Sequence, residues 1–133
     1  MKKRFVLLLS LVVGVLVVAG CSSNKKSDDT QKVIDKIVKY ETEVNNADYD
    51  KGKEKYHYTE KDFSFLIYYD KDQKLYLVDS WVPFKEKVND MQFKWGISLD
   101  KNEIKRFDYN SDFNDYKKSG DFEVVYKSGK FEE

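Results

Sequence analysis

The spacing of apolar residues changes once along this chain, near residue 50, and that change restricts the fold more than any other feature. Upstream, Val33, Ile34, Ile37, Val38 and Val44 recur at the three-to-four interval of one helical face, interrupted by Glu41. Lys32, Asp35, Lys36, Lys39 and Glu43 fall on the other side. Asp29 or Thr30 can cap the start, because a side-chain oxygen there accepts amide hydrogens of the first turn. The spacing predicts an amphipathic helix over 30–48, ending near Asn45 and Asn46.

Beyond the polar stretch Asp48 to Glu54, the pattern is that of strands. Lys55 to Tyr58 reads as a short one. Phe63 to Tyr69 and Leu75 to Trp81 are rich in β-branched and aromatic residues, and the polar residues 70–74 join them as a hairpin. Proline donates no ladder bond, so Trp81-Val82-Pro83 ends the second strand or places it at an edge. A connection to about Asn89 follows, then a strand over 91–98 in which Met91, Phe93, Trp95 and Ile97 alternate. Ile104 to Tyr109 reads as a further strand, Ser111 to Lys118 as a short helix stopped at Gly120, Phe122 to Tyr126 as a last strand and Ser128-Gly129 as a turn. One helix followed by four or five antiparallel strands predicts an α+β domain over 30–133, with the helix packed on a curved sheet.

The N-terminus states an address. Lys2, Lys3 and Arg4 precede an apolar run from Phe5 to Gly20 that ends in small residues, the three parts of an export signal. The run has roughly 15 apolar residues, short of the ~20 that span a bilayer. Val18-Ala19-Gly20-Cys21 resembles the bacterial lipoprotein box. That resemblance implies cleavage between Gly20 and Cys21 and a diacylglyceryl group on the Cys21 thiol, with acyl chains such as palmitate. The expected location is the extracytoplasmic face of the cell membrane. Cys21 is the only cysteine, so the chain can form no internal disulfide, and acylation gives that lone thiol a role. Two acyl chains at about 0.8 kcal/mol per buried methylene hold a small domain on a bilayer.

Residues 21–29 are polar after the cysteine and read as a tether with a root-mean-square span of roughly 15–18 Å. A 100-residue domain has a radius of gyration near ~13 Å. The domain therefore rides close to the membrane, where a membrane or envelope protein is the expected partner. The signal holds three of the 24 basic residues and none of the 24 acidic ones, leaving 21 against 24, a net charge of −3. A mixed surface without basic excess argues against nucleic-acid binding. All ten Tyr, both Trp and eight of the nine Phe follow the cleavage site. Tyr68, Tyr76, Trp81, Phe84 and Trp95 are the candidates for an exposed aromatic patch that docks a partner.

No catalytic set emerges. His57 is the only histidine, lies between Tyr56 and Tyr58, and reads as a solvated strand-end residue. One histidine and no thiol beyond Cys21 exclude the common zinc sets. Asp108, Asn110, Asp112 and Asn114 carry the alternate spacing that opens a calcium loop. Phe113 and Ser119 stand where such a loop needs its glycine and its bidentate glutamate, so capping by Asn110 or Ser111 is the simpler expectation. No phosphate-binding glycine loop is present. The expectation is a protein that is no enzyme and holds no cofactor or metal.

The order of lipoprotein box, polar tether, QKVIDKIVKYETEVNNADYDKG helix and aromatic strands resembles the small cystatin-like fold lipoproteins of Gram-positive bacteria, which are often encoded on mobile elements. The resemblance covers essentially the whole chain. It implies a helix wrapped by an antiparallel sheet, and a binding role in settings such as conjugation or its exclusion. True cystatins inhibit cysteine proteases through a Q-x-V-x-G hairpin and a Pro-Trp loop. Here Gln31-Lys32-Val33-Ile34-Asp35 lacks the glycine and no Pro-Trp occurs, so inhibition does not carry over. Two other readings stand beside the binding module: a small-ligand or hydrolytic pocket under the helix, and a precursor whose cleaved signal yields a secreted pheromone.

Overall fold

The computed structural model describes residues 26–47 and 55–132. Gly20, Cys21 and most of the tether lie outside them. Helix α1 spans Asp28–Asn46 and is capped by Ser27, whose Oγ accepts the Thr30 amide at 3.0 Å. The cap therefore lies upstream of the expected Asp29 or Thr30. Extended backbone at Ser27 lets its hydroxyl reach the first turn, while Asp28 and Asp29 place negative charge at the positive end of the helix dipole. Thr30 instead turns inward with Val33, Ile34, Ile37 and Glu41, which form the buried stripe.

Five strands make one antiparallel sheet: β1 (Ser64–Asp70), β2 (Leu75–Phe84), β3 (Lys87–Ser98), β4 (Glu103–Phe107) and β5 (Glu123–Lys127). Their spatial order is β4-β3-β2-β1-β5. The first four form a meander. A second helix, α2 (Asn110–Ser119), leads from β4 at one edge toward β5 at the other. The α+β architecture expected from the sequence, a helix packed on an antiparallel sheet, is the one observed.

The two faces of the sheet are covered by different helices. Phe65, Ile67, Val78, Val82, Trp95 and Ile97 alternate onto the α1 face and join Val33, Ile34 and Ile37 in the main core. Trp95 is completely buried there, and its Nε1–H donates to Ser80 Oγ at 2.8 Å. Ser80 in turn donates to the Phe93 carbonyl at 2.8 Å, so the indole is buried without an orphaned donor. Leu77, Phe107 and Phe113 form a smaller core under α2. Gly96 admits the Phe107 ring, since a Cβ would lie 3.3 Å from it.

Several element ends differ from expectation for identifiable reasons. Residues 55–58 form no strand: both backbone polar groups of Tyr56 are bonded by the Asn46 side chain, at 2.8 and 3.0 Å. Residues 84–90 are no mere connection. The chain turns at Lys85 and Glu86, with Lys85 at φ 54°, and β3 begins at Lys87. β2 runs past Pro83 to Phe84 because β1 begins only opposite Trp81 and the ladder to β3 bulges there, so no ladder amide is required of the proline. Tyr109, rather than Asn110 or Ser111, occupies the cap position of α2, without a side-chain cap bond. Gly120 follows α2 in extended backbone, so the left-handed stop is not its role. A Cβ there would meet Gln73 Nε2, Asp70 Oδ2 and Phe122, and glycine is needed for close approach.

Candidate functional site

Two buried acids mark opposite ends of the domain. Asp70, at the end of β1, accepts the amides of Asp72 at 2.9 Å, Gln73 at 3.2 Å and Asp121 at 2.8 Å, and the Gln73 side chain at 2.7 Å. These bonds, that from Asp121 first, hold its carboxyl below the usual carboxylate range. The Asp70 carboxylate is thereby satisfied, and it closes the β1–β2 loop onto the chain after α2.

Glu41 is the reverse case. It interrupts the apolar stripe of α1 and is only 2% exposed. The nearest cation is Arg106 on β4, whose guanidinium lies 3.5 Å from Oε2, and that oxygen has no hydrogen-bond partner among the described residues. Burial pushes the carboxyl up to about 7, with the Arg106 charge opposing. Arg106 lies over the Phe93 ring, with its guanidinium carbon 4.1 Å from the ring centre, and is about one third exposed. Among the described residues it makes no other polar contact.

Glu41 and Arg106 line an open groove of about 510 Å³ at the C-terminal end of α1. Val44 and Asn45 of α1 and Tyr56 line one part of it. Pro83, Phe84, Lys85, Met91 and Phe93 of the β2–β3 hairpin line another. Polar side chains fix this frame: Asn45 Oδ1 accepts the Lys85 amide at 3.0 Å, and the Tyr58 hydroxyl donates to the Lys85 carbonyl at 2.8 Å. Burial pushes the Tyr58 hydroxyl up to about 12, so it remains a donor at neutral pH. Tyr56 donates to Glu86 at 3.1 Å.

Large apolar side chains stay in water around this end. Val44, Phe84, Val88 and Met91 are between 38% and 54% exposed. Beside them, β3 is open along one edge: β4 pairs with it only from Lys94 onward, and no other described strand pairs with that side of residues 87–93. A depression of about 660 Å³ near Thr59 and Gly129 is larger, but its Glu60 carboxylate is engaged by Lys26 at 3.4 Å and the Tyr126 hydroxyl at 3.3 Å.

The aromatic patch expected from the sequence does not assemble. Trp95 and Tyr76 belong to the core, the latter tilted against Tyr69 with ring centres 4.4 Å apart. Tyr68 packs beside Phe113 beneath α2, and Trp81 carries Lys130 Nζ at 3.9 Å from its ring centre. Phe84 alone of the five reaches the groove. The alternation of β2 separates Tyr76 from Trp81, and that of β3 turns Trp95 inward. His57 is exposed in an irregular segment. Asn110, Asp112 and Asn114 lie along α2, and no described group of three or more His, Cys, Asp or Glu residues gathers to hold a metal. Glu41 was visible as an acid in an apolar stripe. Its partner Arg106, brought in by the β3–β4 hairpin, carried no comparable signal.

Comparison of the chain with protein-family models, curated proteins and solved structures found no match.

Proposed function

We propose that this chain is a lipid-anchored extracytoplasmic protein that binds a membrane or envelope protein without catalysing a reaction, and that the groove at the end of α1 is its binding site. The observation that supports this reading most is the coincidence, at one end, of exposed apolar side chains, an open strand edge and a buried acid with an unsatisfied oxygen. Val88, water-facing beside the groove-lining Val44, Phe84 and Met91, extends the apolar surface beyond the groove itself, which suits a protein partner better than an enclosed small molecule. The α+β architecture is compatible with the cystatin-like lipoproteins that the chain resembles, and with their mobile-element settings.

Two experiments test it. Cys21→Ala is expected to release the protein from membranes or leave its precursor uncut; mature-size, membrane-bound protein contradicts the anchor. A photo-crosslinker at Met91 in intact cells is expected to capture an envelope protein that one at Val124, exposed on β5, does not. Equal yields from both positions contradict the assignment of the groove.

A further inference from the structure

On the reading that the groove binds a protein, we infer that its occupant is an apolar polypeptide C-terminus, with Arg106 receiving the free carboxylate while Glu41 takes up a proton. Two features carry this. The Arg106 guanidinium is held over Phe93, 4.1 Å from the ring centre, with donors to spare among the described residues, and its fork can receive a carboxylate through paired hydrogen bonds. Among the described residues Glu41 Oε2 is buried without a hydrogen bond, and an incoming carboxylate at Arg106 displaces the negative charge of Glu41. Protonated, Glu41 becomes a donor to that carboxylate, which satisfies the orphaned oxygen. The proton comes from solvent, and no covalent bond is made or broken.

The other charged and titratable groups around Glu41 agree with an anion. Lys85 in the hairpin turn lines the groove with a second positive charge, and the Tyr56 and Tyr58 hydroxyls, from the segment before β1, donate to Glu86 and to the Lys85 carbonyl. Two further acids lie near: Glu86, bonded by Tyr56, and Asp62, whose charge acts on Tyr58. Apolar walls from Val44, Phe84 and Met91 select for a hydrophobic carrier of the carboxylate. A fatty acid shares that chemistry, but only a polypeptide can use the backbone groups open along β3 before Lys94.

The test is calorimetric titration of the full chain in lipid nanodiscs, with empty nanodiscs as the blank. Three probes are compared: acetyl-Ala-Val-Leu-Phe with a free carboxylate, its C-terminal amide, and sodium octanoate. The free acid is expected to bind at least tenfold more tightly than either control. Above pH 7 its affinity falls about tenfold per pH unit, and about one proton is taken up at pH 8, read from two buffers of different ionisation enthalpy. Arg106→Gln, checked for an unchanged unfolding midpoint, loses the preference for the free acid. Glu41→Gln loses the pH dependence and the proton uptake. Equal binding of the amide, binding without proton uptake, or no binding of the free acid overturns the inference. Octanoate matching the peptide replaces the polypeptide with a lipid acid. In each case, selective crosslinking from Met91 would still support the protein-binding reading, so the two can fail separately.

Discussion

Asp70 and Glu41 are equally buried acids in one small domain, and they differ in almost everything else. Asp70 is surrounded by amides that favour its charge, and its carboxyl is held low. Among the described residues Glu41 faces a single guanidinium beyond good hydrogen-bond distance, and its carboxyl is pushed up to about 7. A satisfied buried acid serves the fold, here by tying the β1–β2 loop to the chain after α2. An unsatisfied one costs stability, and such costs are concentrated where proteins bind or react. The Asp70 cluster is accordingly satisfied within itself, whereas among the described residues the Glu41 end combines an orphaned acid, exposed apolar side chains and an unpaired strand edge.

The contrast has consequences for stability. Glu41 has a folded-state midpoint above its unfolded value, so the folded state holds the proton more tightly. Stability should therefore fall as pH rises from about 4.5 to about 7, by on the order of 3 kcal/mol, and then level off. Urea unfolding across that window checks this, and Glu41→Gln should remove the slope. Retention of the slope in that variant would assign it to another group. Asp70 acts in the opposite sense: its lowered midpoint contributes stability above the unfolded value near 3.8, lost as pH falls below it.

Next in size is Gly120→Ala, which pushes a methyl group into the Asp70–Gln73 cluster. It should cost about 1–3 kcal/mol by thermal unfolding. A neutral result would mean that the cluster is loose and the contrast between the ends overstated. Smallest is Val88→Asp, at an exposed hairpin position, expected to change stability by less than about 0.5 kcal/mol while weakening capture by the Met91 crosslinker. A large loss of stability there would move Val88 from the binding surface to the framework.

Much of the fold was legible because period reports burial. The stripe from Val33 to Ile37, the hairpin about residue 72 and the alternation through Trp95 all depend on one face meeting a core. The ends were less legible, because they depend on single hydrogen bonds: Ser27 capping α1, and Asn46 binding the backbone of Tyr56 in place of a strand neighbour. The site was least legible. Aromatic residues were the natural candidates for a docking surface, yet in a chain this rich in them most are needed for packing, as Trp95 and Tyr76 show. What distinguishes the groove is the meeting of Glu41 with Arg106, 65 residues apart, and pairing at that distance leaves no pattern in the order of residues.

The most direct measurement is a carbon-13 NMR titration that follows the side-chain carboxyl carbons of Asp70 and Glu41 together. The account predicts a Glu41 midpoint near pH 7, moving upward when acetyl-Ala-Val-Leu-Phe is added, and an Asp70 midpoint below 3.8 that the peptide leaves in place. A Glu41 midpoint near 4.5, unmoved by the peptide, would contradict it.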